Sequence, residues 1–95
     1  MTTLGGDPPS SLKNLGPESD RLLAEIGVTT ADEVRELGAP MLYVMLKHRH
    51  GKHVNRIWLW ALAGALQDRH WNSLSGAEKA QLDAATEDDL EVGGG

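Results

Sequence analysis

Cysteine is absent from this chain, and so is phenylalanine. Without cysteine there is no disulfide, no thiol nucleophile and no thiolate metal site. Secreted domains of this size are usually stapled by disulfides, so their absence points to the cytoplasm. Long apolar runs are missing too. The longest uncharged apolar stretch, Ile57 to Leu66, is about half of what a bilayer crossing needs. The start, Met1-Thr2-Thr3-Leu4-Gly5-Gly6-Asp7-Pro8-Pro9, has neither a basic end nor an apolar core, so it does not read as a signal peptide. A membrane protein is not expected. Sustained period-two alternation is also lacking, so no strand is expected.

Acid is missing from one long stretch. Between Leu37 and Gln67 there is no Asp or Glu, in a chain whose net charge is −5. That charge argues against a protein that seeks nucleic acid with its whole surface. The acid-free stretch holds Lys47, Arg49, Lys52 and Arg56, with His48, His50 and His53 among them.

What is present reads as one domain of five to six short helices in a compact all-α bundle, about residues 11–85 of 95. Residues 1–10, rich in Gly, Pro and Thr, and the acidic, Gly-ended segment 86–95 are expected to be disordered. A short helix is expected from Ser10 or Ser11 to Leu15. Pro17 suits the first position of the next helix, and Gly27 suits its end. Thr30 with Glu33, and Ser75 with Glu78, have capping-box spacing. Gly38 and Gly51 read as further helix ends, with Pro40 opening the helix between them. Val54 to Gln67 is apolar nearly all round, as a central helix touched on several sides would be. Gly64 would let another backbone come close. Expected core residues are Leu22, Ile26, Leu42, Trp58, Leu62, Leu66 and Trp71. With no Phe, the rings of Trp58, Trp60 and Trp71 are expected to dominate that core.

Two segments could carry function. Leu12-Lys13-Asn14-Leu15-Gly16-Pro17-Glu18-Ser19 has the rhythm of a helix-hairpin-helix turn. Backbone N–H groups at Leu15, Gly16, Pro17, Glu18 and Ser19 are the candidate contacts, less the N–H that Pro17 lacks. Such groups at a helix start can hold a phosphate and would position DNA without reading sequence. Plain packing is the preferred reading, because Glu18 and Asp20 put negative charge where a phosphate would sit. The second segment is the basic patch Lys47, Arg49, Lys52 and Arg56, a possible footprint for DNA or an acidic protein. Solvation of a helix end explains the same residues equally well. His48, His50 and His53 lack the i, i+4 spacing of two ligands on one helix face, so no metal is expected. No catalytic arrangement, phosphate loop or small-molecule site is legible, and no cofactor is expected.

The hairpin motif, continuing through Ile26-Gly27-Val28-Thr29-Thr30 to Glu36-Leu37-Gly38-Ala39, is joined by a second group of motifs. These are Trp60-Ala61-Leu62-Ala63-Gly64-Ala65-Leu66, Arg69-His70-Trp71 and Glu78-Lys79-Ala80-Gln81-Leu82. In that order they resemble the C-terminal domain of the TfoX/Sxy family of bacterial competence regulators. The resemblance implies a domain of about five helices related to helix-hairpin-helix modules. It also implies a role in activating DNA-uptake genes together with the cyclic AMP receptor protein. Family members carry a further domain ahead of this one, whereas Met1 here stands almost at the domain's start. The expected partner is therefore a protein, either a transcription regulator or a domain of that N-terminal type. Direct, non-specific DNA binding is the alternative.

Overall fold

The computed structural model describes the backbone of residues 7–94 and the side chains of residues 7–86. It is all-helical, with no strand among the described residues. The helices are α1 (Pro17–Ala24), α2 (Ala31–Leu37), α3 (Ala39–His50), α4 (Arg56–Leu66) and α5 (Gly76–Gly94). Single 3₁₀ turns lie at Pro9–Ser11, Gly51–His53 and Trp71–Ser73.

The punctuation acts as local chemistry requires. Pro17 opens α1. The Thr30 hydroxyl accepts from Glu33 N–H at 3.2 Å, and the Glu33 carboxylate accepts from Thr30 N–H at 3.2 Å. Ser75 and Glu78 repeat this reciprocal cap at the start of α5, at 3.1 and 2.7 Å. Gly38 and Gly51, with φ of 84° and 59°, take backbone conformations that a Cβ would oppose.

The core is aliphatic. Leu23, Leu42, Leu46, Leu59, Leu62, Val34 and Val54 are fully buried. The central helix is α4, with Leu59 and Ala61 through Ala65 all buried. Of the core set expected from sequence, Leu22, Leu42 and Leu62 are buried, while Ile26, Trp58, Leu66 and Trp71 pack against the core half-covered. The tryptophans therefore rim the core and do not dominate it. An indole N–H needs a polar partner, and Trp60 finds one in Asp83 at the surface, at 3.3 Å.

Both edges of the domain differ from expectation. Asp7–Ser10 are part of it: Pro9 is buried, Ser10 N–H donates to Asp20 at 2.8 Å, and Ala31 N–H donates to the Asp7 carbonyl at 2.8 Å. Residues 1–6, expected to be disordered, lie outside the described residues. At the other end Thr86 is 3% exposed, and the α5 backbone continues to Gly94. Ala84, Ala85 and Leu90 are strong helix formers, which favours that continuation. The expected helix to Leu15 is only the turn Pro9–Ser11. Asn14, at φ 74°, leaves helical geometry just before Leu15.

Candidate functional site

The hairpin turn is closed by one side chain and by its own backbone. Gly16 N–H donates to the Ser19 hydroxyl at 3.3 Å, and Asp20 N–H donates to the Gly16 carbonyl at 3.1 Å. Pro17 has no N–H to offer. Leu15 and Ser19 are buried. Glu18 stands at the opening, 2.6 Å from Arg21. Of the candidate donors, Leu15 N–H is taken by the Leu12 carbonyl and Gly16 N–H by Ser19. The Glu18 carboxylate stands beside the N–H groups of Glu18 and Ser19, so an anion meets little attraction.

The basic segment runs from the end of α3 through the turn to the first residue of α4, and three of its four cations have a partner within the domain. Lys47 Nζ donates to the Val54 carbonyl at 2.6 Å, which ties the helix end to the chain entering α4. Arg49 lies 3.5 Å from Glu25, and Arg56 lies 3.6 Å from Asp83. Lys52 takes part in none of the ion pairs among the described residues. Four cations in sequence thus become one lysine tied to a carbonyl, one lysine outside the ion pairs and two arginines each facing a carboxylate. A cleft of about 200 Å³ beside them is lined by Glu18, Arg21, Leu22, Glu25, His50 and His53. That is below the roughly 300 Å³ at which small-molecule pockets begin. No three His, Asp or Glu among the described residues are grouped to hold a metal. No described helix is long and apolar enough to cross a membrane.

The densest polar construction lies elsewhere, at the turn between α4 and α5. Asn14 reaches it from the far end of the chain. Its Nδ2 donates to the carbonyls of Ala61 and Arg69 at 3.2 and 3.0 Å, and its Oδ1 accepts from Trp71 N–H at 3.2 Å. Gly64 makes room: a Cβ there would lie 2.7 Å from both the Arg69 carbonyl and Asn14 Nδ2. The Arg69 guanidinium binds Ser73, Gln67 and both oxygens of Glu78. Above this base Trp60 stacks on Trp71 with centroids 6.1 Å apart, and His70 stacks on Trp71 at 5.9 Å. Lys79 Nζ lies 4.8 and 5.5 Å from the two indole centroids. Sequence reasoning gave Gly64 and Trp71 a packing role, but held Asn14, Arg69, His70 and Lys79 only as parts of motifs, with no role of their own. The signal for Asn14 was its residue type beside a turn, since Asn tolerates positive φ.

Residues 9–86 match the family model described as TfoX C-terminal domain. The chain is 37% identical over 71 residues to the DNA transformation protein TfoX of Haemophilus influenzae, covering 75% of this chain and 32% of that protein. It is 31% identical over 71 residues to the DNA transformation protein TfoX1 of Aliivibrio fischeri, covering 75% and 34%. The aligned region therefore spans about a third of each curated relative's length. A crystal structure of an uncharacterized protein from Listeria monocytogenes superposes with a TM-score of 0.77 at 27% identity, covering 88% of this chain and 93% of that one. The motif order, the helical fold and the match across most of the chain agree: this chain belongs to the TfoX C-terminal domain family.

Proposed function

We propose that this chain is a non-enzymatic regulatory domain of the bacterial cytoplasm that works through a protein partner in the control of competence. The observation that carries this reading is the state of its two possible duplex-binding features. Glu18 stands over the hairpin's N–H groups, of which that of Gly16 is taken by Ser19. Of the four cations of the basic segment, Lys47 is tied to a carbonyl while Arg49 and Arg56 each face a carboxylate of the domain. A net charge of −5 adds a general repulsion from the dense phosphate array of a duplex. The curated relatives are named DNA transformation proteins, which sets the biological context. The partner is a transcription regulator or a domain of the kind that occupies the remaining length of those relatives.

The test is fluorescence anisotropy of a labelled promoter duplex. The expected result is no saturable binding by this chain alone, and a further anisotropy rise when it is added to the duplex already bound by the cyclic AMP receptor protein. No rise in either mixture would remove that regulator as partner. Saturable, salt-sensitive binding to the duplex alone would overturn the protein-partner reading in favour of direct contact through Arg49 and Lys52.

A further inference from the structure

The turn after α4 holds its aromatic rings far more firmly than a surface connection requires. Its backbone is fixed by Asn14 from one side and by Arg69 from the other. His70 is exposed, yet its ring is not free to turn, because Nδ1 accepts from Asn72 N–H at 3.1 Å. The neutral ring therefore carries its proton on Nε2. The result is a ladder of three planar rings, Trp60, Trp71 and His70, with interplanar angles of 22° and 26°. One end, Trp60, is anchored through Asp83. The other end is an exposed ring.

Beside the ladder stands an ammonium group. Lys79 lies over both indoles, and it takes part in none of the ion pairs among the described residues. Nor does Lys13, exposed next to the bridging Asn14. The surface thus offers an exposed π-face at His70 and, beside the two indoles of the same ladder, an ammonium group outside every ion pair among the described residues. Its complement is a planar ring carrying a nearby anion. A duplex keeps its bases stacked inside and cannot supply the ring. An unpaired nucleotide supplies both.

We propose that the Trp60–Trp71–His70 ladder is a stacking platform for single-stranded nucleic acid, with a base on the outer face of His70 and a phosphate paired with Lys79. This goes beyond the regulatory reading and uses a different face from the hairpin and the basic helix end. Because few phosphates are neutralised, stacking supplies most of the affinity. The logarithm of the binding constant should then fall with the logarithm of salt with a slope of about −1.

Intrinsic tryptophan fluorescence reads the contact through Trp71, which lies directly beneath the His70 ring. The full chain is titrated with a short single-stranded oligothymidylate, an abasic strand of the same length, and a duplex. The expected result is saturable quenching by the first and none by the other two. His70→Asn removes the ring but keeps an acceptor for Asn72 N–H, and Lys79→Gln removes only the charge. Each should weaken binding about tenfold with the helical circular dichroism unchanged. Equal quenching by the abasic strand would overturn the proposal, because phosphate attraction alone would then suffice. Silence towards every oligonucleotide would also overturn it, leaving the exposed ring to an aromatic side chain of a protein. Full affinity in both variants would place any binding elsewhere and overturn it as well.

Discussion

Two turns leave the ends of consecutive helices, and they treat charge in opposite ways. The segment from the last turn of α3 to the first residue of α4 carries the four cations that stand out in the sequence. Its bonds are few and peripheral, apart from Lys47 reaching the Val54 carbonyl. The turn after α4 carries little that stands out, only Asp68, Arg69 and His70 among polar neighbours. Yet the fold is tied together there, by contacts between residues more than forty positions apart in sequence. Concentration of charge in a sequence thus marked a solvated helix end, while the sparse turn became the junction of three chain segments.

The comparison breaks most sharply at Gly64. In an exposed helix, Gly→Ala gains about 1 kcal/mol of helix propensity. Here the added Cβ would sit 2.7 Å from the Arg69 carbonyl, and backbone cannot yield as a flexible side-chain end can. Gly64→Ala should destabilise the domain by about 3 kcal/mol, as overpacking does, measured by urea denaturation. A neutral or stabilising result would mean the α4 turn is looser than the Asn14 and Arg69 bonds imply.

Asn14→Ala comes next. It leaves the Trp71 N–H and two carbonyls without their partner, at about 2 kcal/mol. Asn14→Gly removes the same bonds while accepting the φ of 74° freely. The difference between the two variants isolates the backbone conformation. If Gly restores full stability, the side-chain bridge contributes nothing.

The turn after α3 should respond less. Lys47→Met removes the charged donor from the carbonyl of the buried Val54, at about 1.5 kcal/mol. Arg49→Ala and Lys52→Ala together should change stability by less than about 0.5 kcal/mol, as exposed ions do. A larger loss from the double variant than from Lys47→Met, in the same denaturation experiment, would reverse the assignment of roles within the segment.

What was legible in the sequence was what acts over three or four residues. Thr30 with Glu33, Ser75 with Glu78, Pro17, Gly38 and Gly51 shape the helix ends next to them, so their spacing alone conveys their role. The all-apolar run of α4 likewise announced a central helix. Asn14 was opaque because its partners lie on α4 and on the turn beyond, and nothing within its own segment requires them. Trp60 and Trp71 were legible as apolar mass but not as a stack, because their meeting depends on how tightly the chain turns after Leu66. Arg69 was passed over for the same reason: its bonds join the end of α4 to the cap of α5.

The two capping glutamates allow a finer comparison, because one stands alone and the other is shared with the α4 turn. Both carboxyls are held below the ordinary value of 4.5. For Glu33 the largest cause is the Thr29 backbone N–H. For Glu78 it is the Ser75 backbone N–H, followed by the Arg69 guanidinium. A carboxyl with a lowered folded-state pKa stabilises the fold fully above its unfolded pKa, and that stabilisation disappears as pH falls through the lowered value. Stability should therefore drop on acidification from about pH 4.5 downward. Glu78→Gln keeps an oxygen for the Ser75 N–H but cannot titrate, so it should flatten part of that drop. Arg69→Gln removes only the second cause, so most of the Glu78 contribution to the slope should survive even though the turn is weakened at every pH. Thermal unfolding of both variants across the acid range separates the two effects. An acid slope abolished by Arg69→Gln would make the guanidinium, not the helix cap, the group that holds Glu78 ionised.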